Sequence, residues 1–179
     1  MSPDPAKESF RKKAPLLEID DLTEVIIEKI LTEELLERAE SVWIRKSFAD
    51  PDKEIDSKDT PSDLDVFVVV PSWDKPLPDS GLAIVAPQVE VSAAYEESAE
   101  GSNWTSKDGK WESAEEAWEQ IPKYVQKSLI RSTEYGFYAT ESDVESGIVR
   151  PYDITICNEE QFEVASKPDG EFCIWRSDS

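Results

Sequence analysis

The sequence predicts a mixed α/β (α+β) fold, a twisted mixed sheet with its helices packed together on one face. Three observations carry this. Val66 to Val70 is apolar and β-branched without polar alternation, as in a central strand buried on both faces. The stretches 20–39 and 113–131 repeat apolar residues at helical spacing. Tyr152 to Cys157 alternates its faces with period two. A chain of 179 residues has the length for one domain with a core of its own.

Taken in order, residues 1–16 are polar, charged and proline-bearing, and are expected to be a disordered tail. Residues 17–179 are expected to form the domain. Asp20 or Asp21 is placed to cap a first helix, whose stripe is Leu22, Val25, Ile26 and Ile30. Thr32 either lies within this helix or caps a new turn, and the helical pattern ends near Ala39. Val42 to Arg45 reads as a strand. Asp50-Pro51-Asp52 and Asp59-Thr60-Pro61-Ser62 bracket an extended connection. After Val70, prolines at 71, 76 and 78 end the central strand sharply, and residues 73–110 read as an insertion. Ser113 with Glu116 makes a capping box for the second helix, in which Pro122 predicts a kink. Tyr135 to Tyr138 and Ser146-Gly147 read as loop and turn. The segment Tyr152–Cys157 is a strand, Asn158 to Phe162 a turn or short helix, and Phe172–Trp175 a final strand.

Composition narrows the function. Forty Asp and Glu stand against 19 Lys and Arg, a net charge of −21, and there is no His. That balance excludes the basic footprint of a protein that grips the DNA backbone directly. Six Trp, five Tyr and six Phe argue against general disorder. The acids are spread along the whole chain, which favours a halophilic surface suited to molar salt, where the Debye length is about 3 Å. No stretch has transmembrane length and the N-terminus has no apolar signal core, which points to a cytoplasmic protein away from membranes. Cys157 and Cys173 have no CxxC spacing and read as buried free thiols. Walker A and dinucleotide-binding glycine motifs are absent, and without His there is neither a catalytic triad nor a histidine zinc site.

Asp63 and Asp65 sit at alternate positions entering the central strand, so their carboxylates point to the same side. Like charges that close are unfavourable unless a cation lies between them, and hard carboxylate oxygens suit Mg²⁺. The same pair also fits a polar strand entry in an acidic chain. Upstream, Val42-Trp43-Ile44 is followed by Arg45-Lys46-Ser47-Phe48-Ala49.

On these residues the chain resembles the nucleotidyltransferase superfamily of the DNA polymerase β type, whose pattern is a strand, Gly-Ser, a loop, then Asp-x-Asp on the next strand. Ser47 matches the family serine, Phe48-Ala49 the residues after it, and Asp63 and Asp65 the metal-binding pair. Lys46 stands where the family has glycine, and the connection to Asp63 is longer by several residues. The likeness covers Leu22 to Val70 well and the last part of the chain loosely. It implies a nucleotidyltransferase-like sheet, a nucleoside triphosphate (NTP) substrate, and two Mg²⁺ ions held by three carboxylates. Asp153, which opens a strand after a helix, is the expected third acid, with Glu90 as runner-up. Ser47 and Lys46 are expected at the nucleotide phosphates. Arg45 and Lys46 alternate on a strand, so at most one of them faces the nucleotide. Trp104 and Trp111 could stack on a base, though core or interface filling is the commoner use.

The resemblance implies transfer of a nucleoside monophosphate to a hydroxyl acceptor, which could be a small molecule, an RNA end or a protein. The small stand-alone domain is similar to the minimal nucleotidyltransferases, some of which act as antitoxins. Two other functions fit the sequence: a catalytically eroded binding or regulatory module on the same scaffold, and an acidic mimic of nucleic acid.

Overall fold

A computed structural model describes residues 4–57, 61–71, 122–164 and 166–178. The expected insertion at 73–110, Glu90, Trp104, Trp111 and the Ser113 cap all lie outside the described residues. One five-stranded mixed sheet organises the rest. Its strands are β1 (Ser41–Arg45), β2 (Leu64–Val69), β3 (Gly136–Phe137), β4 (Arg150–Cys157) and β5 (Phe172–Arg176), in the order β3-β4-β2-β1-β5. The β2/β4 pair is parallel and every other pairing is antiparallel. Trp43 and Phe67 stand directly opposite each other on β1 and β2, so the two expected strands share one sheet.

Burial explains the central position of β2. Leu64, Val66 and Val68 are fully buried on one face, while Phe67 and Val69 are buried on the other. The first face carries the main core, which Ile26, Ile30, Leu35, Val125 and Leu129 complete from the helices. On the second face Phe67, Val69 and Cys157 meet Phe162, which lies on a short helix, Glu159–Val164. The helices are therefore not confined to one face. Trp43 and Phe162 pack at a centroid distance of 5.0 Å, and this aromatic pair draws the short helix over the open side.

The N-terminal segment departs from expectation. Pro5–Lys13 is a helix, α1, and not a tail. Asp4 caps it by accepting from the Ala6 and Lys7 amides, and Pro5 supplies a preset first turn. Ala6, Phe10 and Ala14 recur four residues apart and are all fully buried. Phe10 packs edge-on against Phe172 at 5.7 Å and tilted against Phe48 at 6.3 Å. The stripe is narrow and its flanks are charged, so composition alone conceals it.

The next helix starts at Ile19, with no side-chain cap from Glu18 at its cap position, two or three residues earlier than the acids at 20 and 21 suggest. This helix, α2 (Ile19–Glu24), widens into a π-helical turn over Val25–Ile30. Leu31 is extended, and Thr32 caps α3 (Glu33–Arg38) by accepting from the Leu35 amide. Thr32 thus starts a new helix. Its hydroxyl also donates to the Tyr124 carbonyl, and its amide donates to Ser128 Oγ, both on α4 (Lys123–Ser132). Those bonds lock the two helical regions together on the core face.

Between α4 and β4 lie β3 and a helix absent from the sequence reading, α5 (Glu141–Ser146). Thr140 and Asp143 form its capping box, and Gly147 ends it with φ of 67°, a conformation open to glycine without strain. The helix Glu159–Val164 is α6. Cys157 is buried and Cys173 half-buried, and both are free thiols. Among the described residues no helix is long and apolar enough to cross a membrane.

Candidate metal and phosphate site

The parallel pairing of β2 with β4 builds the site. It sets Asp65 directly opposite Asp153, and both point away from the main core. Asp63, two residues before Asp65, shares that side. One oxygen from each of Asp63, Asp65 and Asp153 lies within 4.8 Å of the others. The sequence-predicted triad therefore converges, with Asp153 in the third position.

Three carboxylates this close disturb one another. Burial, then the Asp63 charge, pushes the Asp65 pKa up to about 7. The same causes, with Asp65 as a further like charge, push Asp153 up to about 8. Asp153 Oδ1 is buried without a hydrogen-bond partner. An orphaned buried acceptor among three hard oxygens fits a divalent cation such as Mg²⁺, which would both ligate that oxygen and return the acids to their charged forms.

Beside the triad is an open cleft of about 880 Å³, lined by Lys46, Ser47, Lys53, Asp63, Asp65 and Asp153 among others. Lys46 and Ser47 belong to a 3₁₀ turn, Lys46–Phe48, that leaves the end of β1. Lys46 has φ of 64°, in the left-handed region that favours glycine. This position thus has a glycine-like backbone while carrying a lysine. The Lys46 ammonium lies 5.6 Å from the centroid of Phe67, on the triad's side of the sheet, and its charge pulls the Asp65 and Asp153 pKa values back down in part.

Arg45 behaves differently. It pairs with Asp65 in the β1/β2 register, but its buried guanidinium stacks 3.4 Å over Phe162 and bonds Glu171 at 3.1 Å. Burial lowers its pKa, and Glu171 opposes that shift. Arg45 holds α6 and the start of β5 to the sheet, so of the two cations only Lys46 lines the cleft.

Sequence reasoning missed the residues that hold the cleft wall. Lys13 of α1 donates to the Ser47 and Asp50 carbonyls, at 2.7 Å each, and to that of Lys53. Lys167 bonds both Asp50 oxygens and Asp52 at 2.9 Å. Burial would raise the Asp50 pKa, but Lys167 and the Asp52 amide bring it below the usual carboxylate value. Arg150 anchors the far end of the same connection. These partners lie far apart in sequence and leave no local pattern. The Thr140-x-x-Asp143 capping box was the one local signal nearby. No family model, curated protein or solved structure matches the chain.

Proposed function

We propose that this chain is a Mg²⁺-dependent nucleotidyltransferase that moves a nucleoside monophosphate from an NTP to a hydroxyl acceptor. The observation that supports this best is the convergence of Asp63, Asp65 and Asp153 beside the Lys46-Ser47 turn. Asp63 and Asp65 would hold the cation that accompanies the triphosphate. Ser47, through its hydroxyl and the local amides, would hold the β- and γ-phosphates, with Lys46 supplying a nearby positive charge. Asp153 would accept the proton of the attacking hydroxyl once a bound cation has brought it back to the carboxylate form. Mg²⁺ bound there would supply charge neutralisation at the transferred phosphoryl group and the leaving pyrophosphate.

The converging acids also weigh against an eroded binding module, which has no need to keep three mutually repelling carboxylates together. Calorimetric titration with Mg²⁺ and each NTP tests the reading. Wild type is expected to bind, and Asp63→Asn and Asp65→Asn to lose Mg²⁺-dependent binding while still folding. Equal binding by all three proteins, or binding by none, overturns it.

A further inference from the structure

Asp63 sits at the end of a long connection, yet it must be placed within a few ångströms of two acids on neighbouring strands. The described residues contain one device that does this. Arg150, at the start of β4, is buried, with 2% of its side chain exposed. Its Nη1 and Nη2 donate to Asp56 Oδ1 and Oδ2 at 2.8 and 2.7 Å, a two-pronged pair. Nη1 also donates to the Ser62 carbonyl at 3.1 Å, and Nε and Nη2 donate to Asp143 on α5 at 2.7 and 3.0 Å. Asp56 and Ser62 close on each other. The Asp56 amide donates to Ser62 Oγ at 2.7 Å, and the Ser62 amide donates to Asp56 Oδ1 at 2.9 Å. Asp56 adopts φ of 61°, so the turn is held in a left-handed conformation that the side-chain bonds must enforce. Hydrogen bonds from Arg150 hold the Asp143 pKa down at about 2 and lower that of Asp56 as well.

We propose that Arg150 is a positioning residue for the carboxylate cluster, acting through Asp56 and Ser62 to fix Asp63 against Asp65 and Asp153. The inference rests on the metal-site reading above. Arg150 belongs to the same strand as Asp153, and it grips the carbonyl of the residue just before Asp63. One guanidinium therefore ties the β4 acid to the β2 acids, through a planar fork that lysine cannot reproduce. Partners beyond the direct ligands commonly change metal affinity by roughly 10- to 100-fold.

The test uses Mn²⁺ alone as probe, titrated into the full chain in 1 M KCl, where charges at a distance are screened. Asp56→Asn and Asp143→Asn each replace a carboxylate oxygen bonded by Arg150 with an amide nitrogen, but only the first does so at the residue that also closes on Ser62, next to Asp63. Asp56 is partly exposed, so Asp56→Asn is expected to fold, and to bind Mn²⁺ about tenfold or more weakly. Asp143→Asn loses its buried charge pair with Arg150 and is expected to melt earlier while keeping Mn²⁺ affinity per folded molecule within about twofold. Unchanged affinity in Asp56→Asn, or equal weakening in both variants, overturns the inference. If wild type binds no Mn²⁺, the metal-site reading itself fails.

Discussion

Asp65 is the residue on which stability and binding pull in opposite directions. In the metal-free fold its pKa stands near 7, well above the ordinary carboxyl value of 3.8. The folded protein thus keeps a proton that the unfolded chain releases. Stability tied to this group is full below about pH 4 and declines as pH rises toward 7. Asparagine at position 65 stays neutral throughout. Asp65→Asn in chelator is therefore expected to be more stable than wild type, by an amount that grows from pH 5 to 8, on the order of 1 kcal/mol per pH unit at most. On the proposed Mg²⁺ site, saturating Mg²⁺ should reverse the order, since Asp65→Asn removes one of its carboxylates. Melting temperatures of both proteins across that pH range check the sign. A difference independent of pH would mean that Asp65 is ionised throughout in the fold. Lys46 shows the same tension in its backbone, where a left-handed lysine is tolerated at the turn that lines the cleft.

Among the elements, α1 carries the clearest expectation. Phe10 is fully buried between Phe48 and Phe172, and the same helix sends Lys13 to the carbonyls of the cleft wall. Phe10→Ala is expected to destabilise by about 3–5 kcal/mol. Denaturant unfolding measures this, and a loss under about 1 kcal/mol would make α1 a peripheral element. The contrast between α1 and β2 shows what was legible in the sequence. Asp63, Asp65 and the run to Val70 could be read because strand alternation is local, whereas Asp153 was expected as the third acid only through the resemblance, which looks for one on a later strand. Only Ala6, Phe10 and the C-cap Ala14 mark the buried side of α1, inside a run of charges that composition reads as solvated. The contacts of Lys13, Arg150 and Lys167 with the cleft connection could not be seen at all, because such ion pairs are set by the tertiary path and have no sequence period.

For the molecule as a whole, the proposed function makes charge the term that decides how a nucleotide would be met. A net charge of −21 repels NTP–Mg²⁺, which is itself anionic. At 0.01 M salt, with a Debye length of about 30 Å, the entire surface contributes to that repulsion, and in molar salt only groups in contact are felt. Nucleotide sites on basic proteins weaken as salt rises. Here NTP affinity per folded molecule is expected to hold steady or increase with KCl, and circular dichroism at each concentration fixes the folded fraction. A steep fall in affinity toward molar KCl would show that a local basic cluster around Lys46 and Lys53 governs binding instead.

The parallel pairing of β2 and β4 has a consequence in time as well as in space. Antiparallel β1 and β2 are near neighbours along the chain, whereas β4 arrives after the whole intervening stretch. Closing so long a loop is the slow kind of step in folding. During synthesis the chain grows from its N-terminus, so Asp63 and Asp65 leave the ribosome well before Asp153 does. A nascent molecule then carries two acids without their third, and the proposed ion site exists only once the last central strand is zipped into place. The cluster is in this sense a mark of assembly, formed by the same event that joins β4 to β2.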